Sequence, residues 1–155
     1  EIIKNPDVLH SKKYLDFGKG FYITTFENQA KKWAVRKGMR QEKTAIVNIY
    51  ELSEKWDDYR VLSFEKENEK WLDFVCGCRK GQPLNEAFDI IIGNVADDDV
   101  FKTVDMYFRG LWDKEKVLNE LRYYKMNNQL CIVNQKTLNQ LITFKRSYEV
   151  KSNGR

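Results

Sequence analysis

The stretch LDFGKGFYITTFENQAKKWA, Leu15 to Ala34, decides how the rest of the chain is read. Asp16, Gly18 and Gly20 permit a tight backbone path with room for a ligand to approach. Phe21, Tyr22 and Ile23 then form a short apolar strand. Thr24 and Glu27 have the spacing of a capping box, and Ala30, Trp33 and Ala34 give the following helix its apolar stripe. A Gly-Lys-Gly turn that delivers a tyrosine ahead of a helix N-terminus makes a floor for a planar, phosphate-bearing ligand such as NAD. From spacing alone, an ordinary β-turn followed by a core aromatic is the more frequent meaning of such a motif.

Working outward, the composition sets bounds. The chain has 155 residues, 42% of them hydrophobic and 32% charged. That balance describes a soluble globular protein with one sizeable core, a single domain over residues 1–150 with a frayed tail at 151–155. No apolar run approaches the roughly 20 residues needed to cross a bilayer, so no membrane partner is expected. Three cysteines suit a reducing compartment, which places the protein in the cytoplasm. One histidine and the lone Cys76-x-Cys78 cannot assemble a zinc site, so no metal is expected. The net charge of +4 is spread among acids, as in Glu65-Lys66-Glu67, which is the pattern of a solvated surface.

Two prolines and no low-complexity segment leave no linker or repeat. Strands are expected at 44–50, 61–64, 88–92, 129–133 and 142–150. Helices are expected at 67–79, from Asp97-Asp98-Asp99 to Gly110, at 114–124 behind Asp113, and at 136–141. Strands and helices mix without a βαβ rhythm, which favours α+β over a doubly wound sheet. Neither a strand–GxGxxG–helix nor a Walker pattern is present.

The segment GKGFYITTFENQAKKWA resembles the second signature of ADP-ribosyltransferases. More closely, IIKNPD, LDFGKGFY, WLDFV, DIIIGNVADDDVF and YYKMNNQLCIV resemble, in order and over nearly the whole chain, the landmarks of the DUF3990 family, a bacterial group with an ADP-ribosyltransferase-like fold. The resemblance implies a split, curved β-sheet that grips NAD as co-substrate, with Tyr22 stacking on nicotinamide. It aligns Gln129 with the position where such enzymes carry a ribose-binding glutamate. Gly18, Lys19, Gly20, Phe21, Tyr22 and Thr24 are then the cofactor-binding residues, with Lys19 at the pyrophosphate or, equally, a solvent-exposed turn lysine.

Two departures matter. The His-Gly-Ser element that the resemblance implies is absent, and it is expected upstream of Glu1. His10 has no glycine after it and lies too close to Tyr22 to serve, so it reads as a turn histidine. Gln129 can hydrogen-bond a ribose hydroxyl but offers no negative charge to an oxocarbenium ion and no general base. Asp97 or Asp98 could supply that carboxylate, although an Asp run ahead of a helix also reads as an N-cap.

Three functions follow. The first is an NAD-dependent ADP-ribosyltransferase, a bacterial toxin-type effector in the resemblance's terms. It passes ADP-ribose to a macromolecule, protein or nucleic acid, and an antitoxin is a conceivable partner. The alternative is a catalytically silent NAD or ADP-ribose binding module, which Gln129 favours. The third, a nucleic-acid-binding module, ranks below both because the basic residues are not clustered.

Overall fold

The structure, a computed structural model, describes residues 1–12, 14–96, 98–121 and 127–151. Its elements run β1 (Phe21–Ile23), α1 (Glu27–Gln41), β2 (Ile46–Leu52), β3 (Val61–Ser63) and α2 (Glu69–Arg79). A single 3-10 turn at Leu84–Ala87 follows. Then come β4 (Ile90–Gly93), α3 (Asp98–Phe108), α4 (Lys114–Leu121), β5 (Gln129–Ile132), α5 (Gln135–Leu141) and β6 (Ile142–Glu149). The protein is therefore α+β, with five α-helices among the described residues.

Its strands lie in two sheets. One is mixed, in the order β1-β5-β4-β3, and the other pairs β2 with β6. Only β3 and β4 run parallel, and the crossover that a parallel pair requires is made through α2. The β2–β6 pair carries a bulge between Ile49 and Tyr50, opposite Arg146 and Phe144.

Period-2 alternation gives the four-stranded sheet two distinct faces. Tyr22, Cys131 and Ile91 stand side by side across β1, β5 and β4. All three belong to or pack against the main core, with Phe17, Trp71, Leu72 and Val75, then Val104 of α3 and Val117 of α4. Trp71, Leu72 and Val75 are fully buried because α2 places them on one side at helical spacing. Each aliphatic member of this cluster contributes about 1.5–3 kcal/mol by leaving water. The opposite face carries Phe21, which meets Tyr50 of the second sheet edge-on at 5.8 Å.

The capping box expected at Thr24 and Glu27 does not form. α1 starts at Glu27 with Phe26 as its N-cap residue and no side-chain cap. The Thr24 hydroxyl is committed elsewhere, donating to Asn128 Oδ1 at 2.7 Å while accepting from the Phe26 amide at 3.1 Å. Asn68, not singled out from sequence, caps α2 by accepting from the Trp71 amide at 3.1 Å. Asp113 does accept from the Lys116 amide, at 2.9 Å, as a cap should. Of the helix expected over 114–124 the structure describes Lys114–Leu121, and Tyr124 lies outside the described residues, as does most of the 151–155 tail.

Candidate functional site

The polar groups around β1 sort to its two sides. On the helix-covered side, the buried Asp16 carboxylate receives four hydrogen bonds. Arg79 donates to Oδ1 through Nε at 2.9 Å and through Nη2 in a short charged contact. The Ala96 amide and Gln129 Nε2 donate to Oδ2 at 2.9 and 3.0 Å. Four donors fill the acceptor sites of a carboxylate.

Gln129 is the last of three consecutive amides that tie loops together at the start of β5. Asn127 makes a two-way pair with the Val95 backbone, accepting at 2.8 Å and donating at 3.3 Å. Asn128 accepts from Thr24 Oγ1 and the Thr25 amide, and donates to Thr25 Oγ1 at 2.5 Å. Its carbonyl accepts from Gln29 Nε2 at 2.7 Å. One tripeptide thus clamps the β4–α3 loop, the β1–α1 turn and the segment preceding β1. A polar Asn-Asn-Gln run entering a strand as apolar as Leu-Cys-Ile was the sequence signal for this clamp. Arg79, one charge at the end of a helix, gave none.

Tyr22 shares the helix-covered face with Gln129. Its hydroxyl donates to the Gly18 carbonyl at 2.5 Å and accepts from the Phe17 amide at 3.0 Å. Its ring stacks on Phe17 at 6.5 Å between centroids, and burial pushes its phenol far above the ordinary value. The room expected beside Gly18 and Gly20 is taken up by protein. A Cβ on Gly18 (φ +75°) would meet Asn85 Nδ2 at 2.7 Å, and one on Gly20 would meet the Ile132 carbonyl at 2.8 Å. Asn85 Nδ2 also donates to the Lys19 carbonyl at 2.9 Å, and the Lys19 side chain is exposed. Asp97 lies outside the described residues. Asp98 opens α3, and its side chain is not described.

A cavity of about 510 Å³ opens on the other face, between β1, α1 and the β2–β6 sheet. Its aromatic wall is Phe21, Trp33 and Tyr50, and Phe144 supports Tyr50 from behind at 5.8 Å. Thr24, Thr25, Lys37, Arg146 and Glu27 supply the polar rim. The Glu27 carboxyl accepts from Tyr148 Oη at 2.7 Å and faces Lys31 Nζ at 3.6 Å, which together hold it below the usual carboxylate range. Among the described residues Lys37 and Arg146 form no ion pair; both line the cavity, with the Arg146 guanidinium over the Tyr148 ring at 5.7 Å. The structure therefore brings Phe21 and Thr24 to this cavity together with Glu27, Trp33, Tyr50 and Arg146. Tyr22 also borders it, while its ring stacks on Phe17 and its hydroxyl is spent on Gly18, on the face that Gln129 shares.

Residues 1–144 match the family model described as "Protein of unknown function (DUF3990)". The chain belongs to the DUF3990 family. No curated protein and no solved structure matches it. Among the described residues of this DUF3990 chain, no three His, Cys, Asp or Glu side chains converge as a metal-ligand set. No helix there is long and apolar enough to cross a membrane. His10 is exposed and pairs with Asp7 through Nδ1 at 3.0 Å, away from either cluster.

Proposed function

We propose that this DUF3990 chain is an ADP-ribosyltransferase that takes NAD into the cleft between its two sheets and passes ADP-ribose to a macromolecule. The finer fold assignment, an ADP-ribosyltransferase-like split sheet, belongs to the same proposal. The observation that carries it is the 510 Å³ cavity, lined by Phe21–Thr25, Ala30, Trp33 and Ala34, all from the segment that resembles the second ADP-ribosyltransferase signature. Its volume lies within the roughly 300–1,000 Å³ of small-molecule sites, and its aromatic wall with a sparse polar rim is the usual make-up of such sites. In this arrangement Phe21, Trp33 and Tyr50 offer ring surfaces to the nicotinamide or adenine. Lys37 and Arg146 meet the pyrophosphate. Breaking the nicotinamide–ribose bond sends its electron pair to the ring nitrogen and leaves an oxocarbenium ion, which the pocket's electrostatics must stabilise.

A second reading, the catalytically silent NAD or ADP-ribose binding module, is favoured by one specific observation. The Gln129 amide is spent on Asp16 at 3.0 Å, which makes it part of the clamp around a buried carboxylate. Calorimetry with NAD and with ADP-ribose, run beside a nicotinamide-release assay, separates the two readings. The transferase releases nicotinamide, whereas the silent module binds either ligand without release. Absence of NAD affinity at millimolar ligand overturns both.

A further inference from the structure

A second cavity, of about 400 Å³, lies on the helix-covered side of the protein, away from the inter-sheet cleft. Its floor is the Asp16–Arg79 pair, and its walls are Tyr14, Phe101, Val104 and Phe108, with Asp105 at the rim. Three of those walls are aromatic rings left unusually open to solvent, Tyr14 at 61%, Phe101 at 46% and Phe108 at 38%. Each ring is held in place. The Arg79 guanidinium lies over Phe101 at 4.5 Å, Lys80 Nζ over Phe108 at 5.1 Å, and the Tyr14 ring rests against Gly81. Fixed, exposed aromatic surface of this kind marks a recognition site more often than a random surface.

The chemistry at the floor narrows the ligand. Arg79 uses Nε and one Nη2 hydrogen on Asp16, which leaves its outer N–H groups with no protein acceptor among the described residues. Arg79 lines the cavity, its guanidinium fixed by Asp16 on one side and by the Phe101 ring at 4.5 Å. Asp16 offsets Arg79, and Asp105 is paired with Arg109 Nε at 3.0 Å while keeping acceptor positions of its own, so no concentrated charge calls for an anion. It calls for a flat ring with acceptors on one edge and donors on another. We propose that this cavity binds a nucleobase, with guanine preferred. Guanine O6 and N7 match the Arg79 fork, its N1–H and exocyclic amine match the Asp105 carboxylate, and its faces stack on the aromatic walls. Adenine presents a donor where O6 would be and so opposes Arg79. Nothing in this proposal depends on NAD entering the other cleft.

The test is titration of the whole chain with GMP, IMP and AMP, whose common phosphate cancels in the comparison, followed by NMR shifts of the Tyr and Phe ring protons. GMP is expected to bind roughly tenfold tighter than AMP, with IMP between them because it lacks only the exocyclic amine. Phe108→Ala and Tyr14→Ala, both at the exposed rim, should each weaken GMP about threefold to tenfold through lost stacking. Arg79→Lys keeps the charge beside Asp16 and loses the planar fork, so it should erase the GMP-over-AMP preference. A thermal melt of each variant verifies that it is folded. Equal affinity for GMP and AMP, no GMP binding at 10-millimolar order of ligand, or GMP binding untouched by Phe108→Ala and Tyr14→Ala would each overturn the proposal.

Discussion

On the helix-covered side of β1, Asp16 accepts four hydrogen bonds, Tyr22 Oη makes two, and the Gln129 amide is spent on Asp16. On the cleft side, Lys37 and Arg146 have no ion-pair partner among the described residues, and Glu27 is more than half exposed. The two sides use similar side chains for different ends. A buried polar network is favourable only when its members are satisfied, and an acceptor such as Asp16 whose sites are all filled has no capacity left for a ligand. A partly satisfied rim around an aromatic wall keeps that capacity. The contrast teaches that polar residues near a glycine-rich turn have to be assigned by what already occupies their donors and acceptors.

Replacing a member of the closed network should cost most. Asp16→Ala leaves the part-buried Arg79 guanidinium, the Ala96 amide and the Gln129 amide without their shared acceptor, so about 3–5 kcal/mol of stability should be lost in urea unfolding. A loss below about 1 kcal/mol would mean that water reaches the cluster and that the two sides are not so different. Gln129→Glu comes next. A sequence reading alone would have it restore a missing catalytic carboxylate. In the structure it removes a donor from Asp16 and sets a second carboxylate against it, for a loss of about 1.5–3 kcal/mol at neutral pH. The like charge raises the new carboxyl's folded pKa, so the folded state retains an extra proton. Stability should then fall as pH rises above the unfolded Glu range near 4.3 and recover on acidification. A variant as stable at pH 7.5 as at pH 5 would contradict this.

The cleft side should answer in binding. Arg146→Ala is expected to weaken NAD about tenfold in calorimetry, as loss of a phosphate contact would, while its unfolding free energy shifts by no more than about 0.5 kcal/mol. A large stability change with unaltered binding would reverse the assignment. Tyr22→Phe tests the opposite side with a smaller change. It removes a buried hydroxyl that bridges the Phe17 amide and the Gly18 carbonyl, costing about 1 kcal/mol. NAD affinity should stay unchanged if the Tyr22 ring belongs to the core. Tyr148→Phe should give the smallest effect. The folded Glu27 carboxyl is depressed, first by the Tyr148 hydroxyl, so its share of stability is present above pH 4.3 and fades as pH falls through the lower folded value. Removing that hydroxyl should move the Glu27 titration toward the ordinary range in a carboxyl-carbon NMR experiment.

Most elements could be read from the chain. The α2 core face, the β4 run and the β5 start at Gln129 all follow from apolar periodicity over four or more residues, and the structure places them within two residues of expectation. The α1 cap was misplaced because Thr24 has a partner 104 residues away that no local pattern announces. The same reason hid Arg79 and Asp16 from each other, 63 residues apart. The faces of Phe21 and Tyr22 were not legible for a subtler cause. Alternation tells that Phe21 and Tyr22 point opposite ways, but not which of them meets the helices. That depends on Phe17 lying under the sheet, where it stacks on Tyr22.

The Asn127-Asn128-Gln129 clamp has a consequence in time as well as in space. Its partners around the β1 turn, Asp16, Thr24, Thr25 and Gln29, emerge from a ribosome about a hundred residues before it does. Contacts of such sequence separation are slow to form, since the intervening chain must be ordered first. A nascent chain therefore holds its glycine-rich turn and the cleft beside it unlatched until Gln129 has been synthesised. Any activity carried by that cleft is withheld from a chain that has not yet reached the clamp.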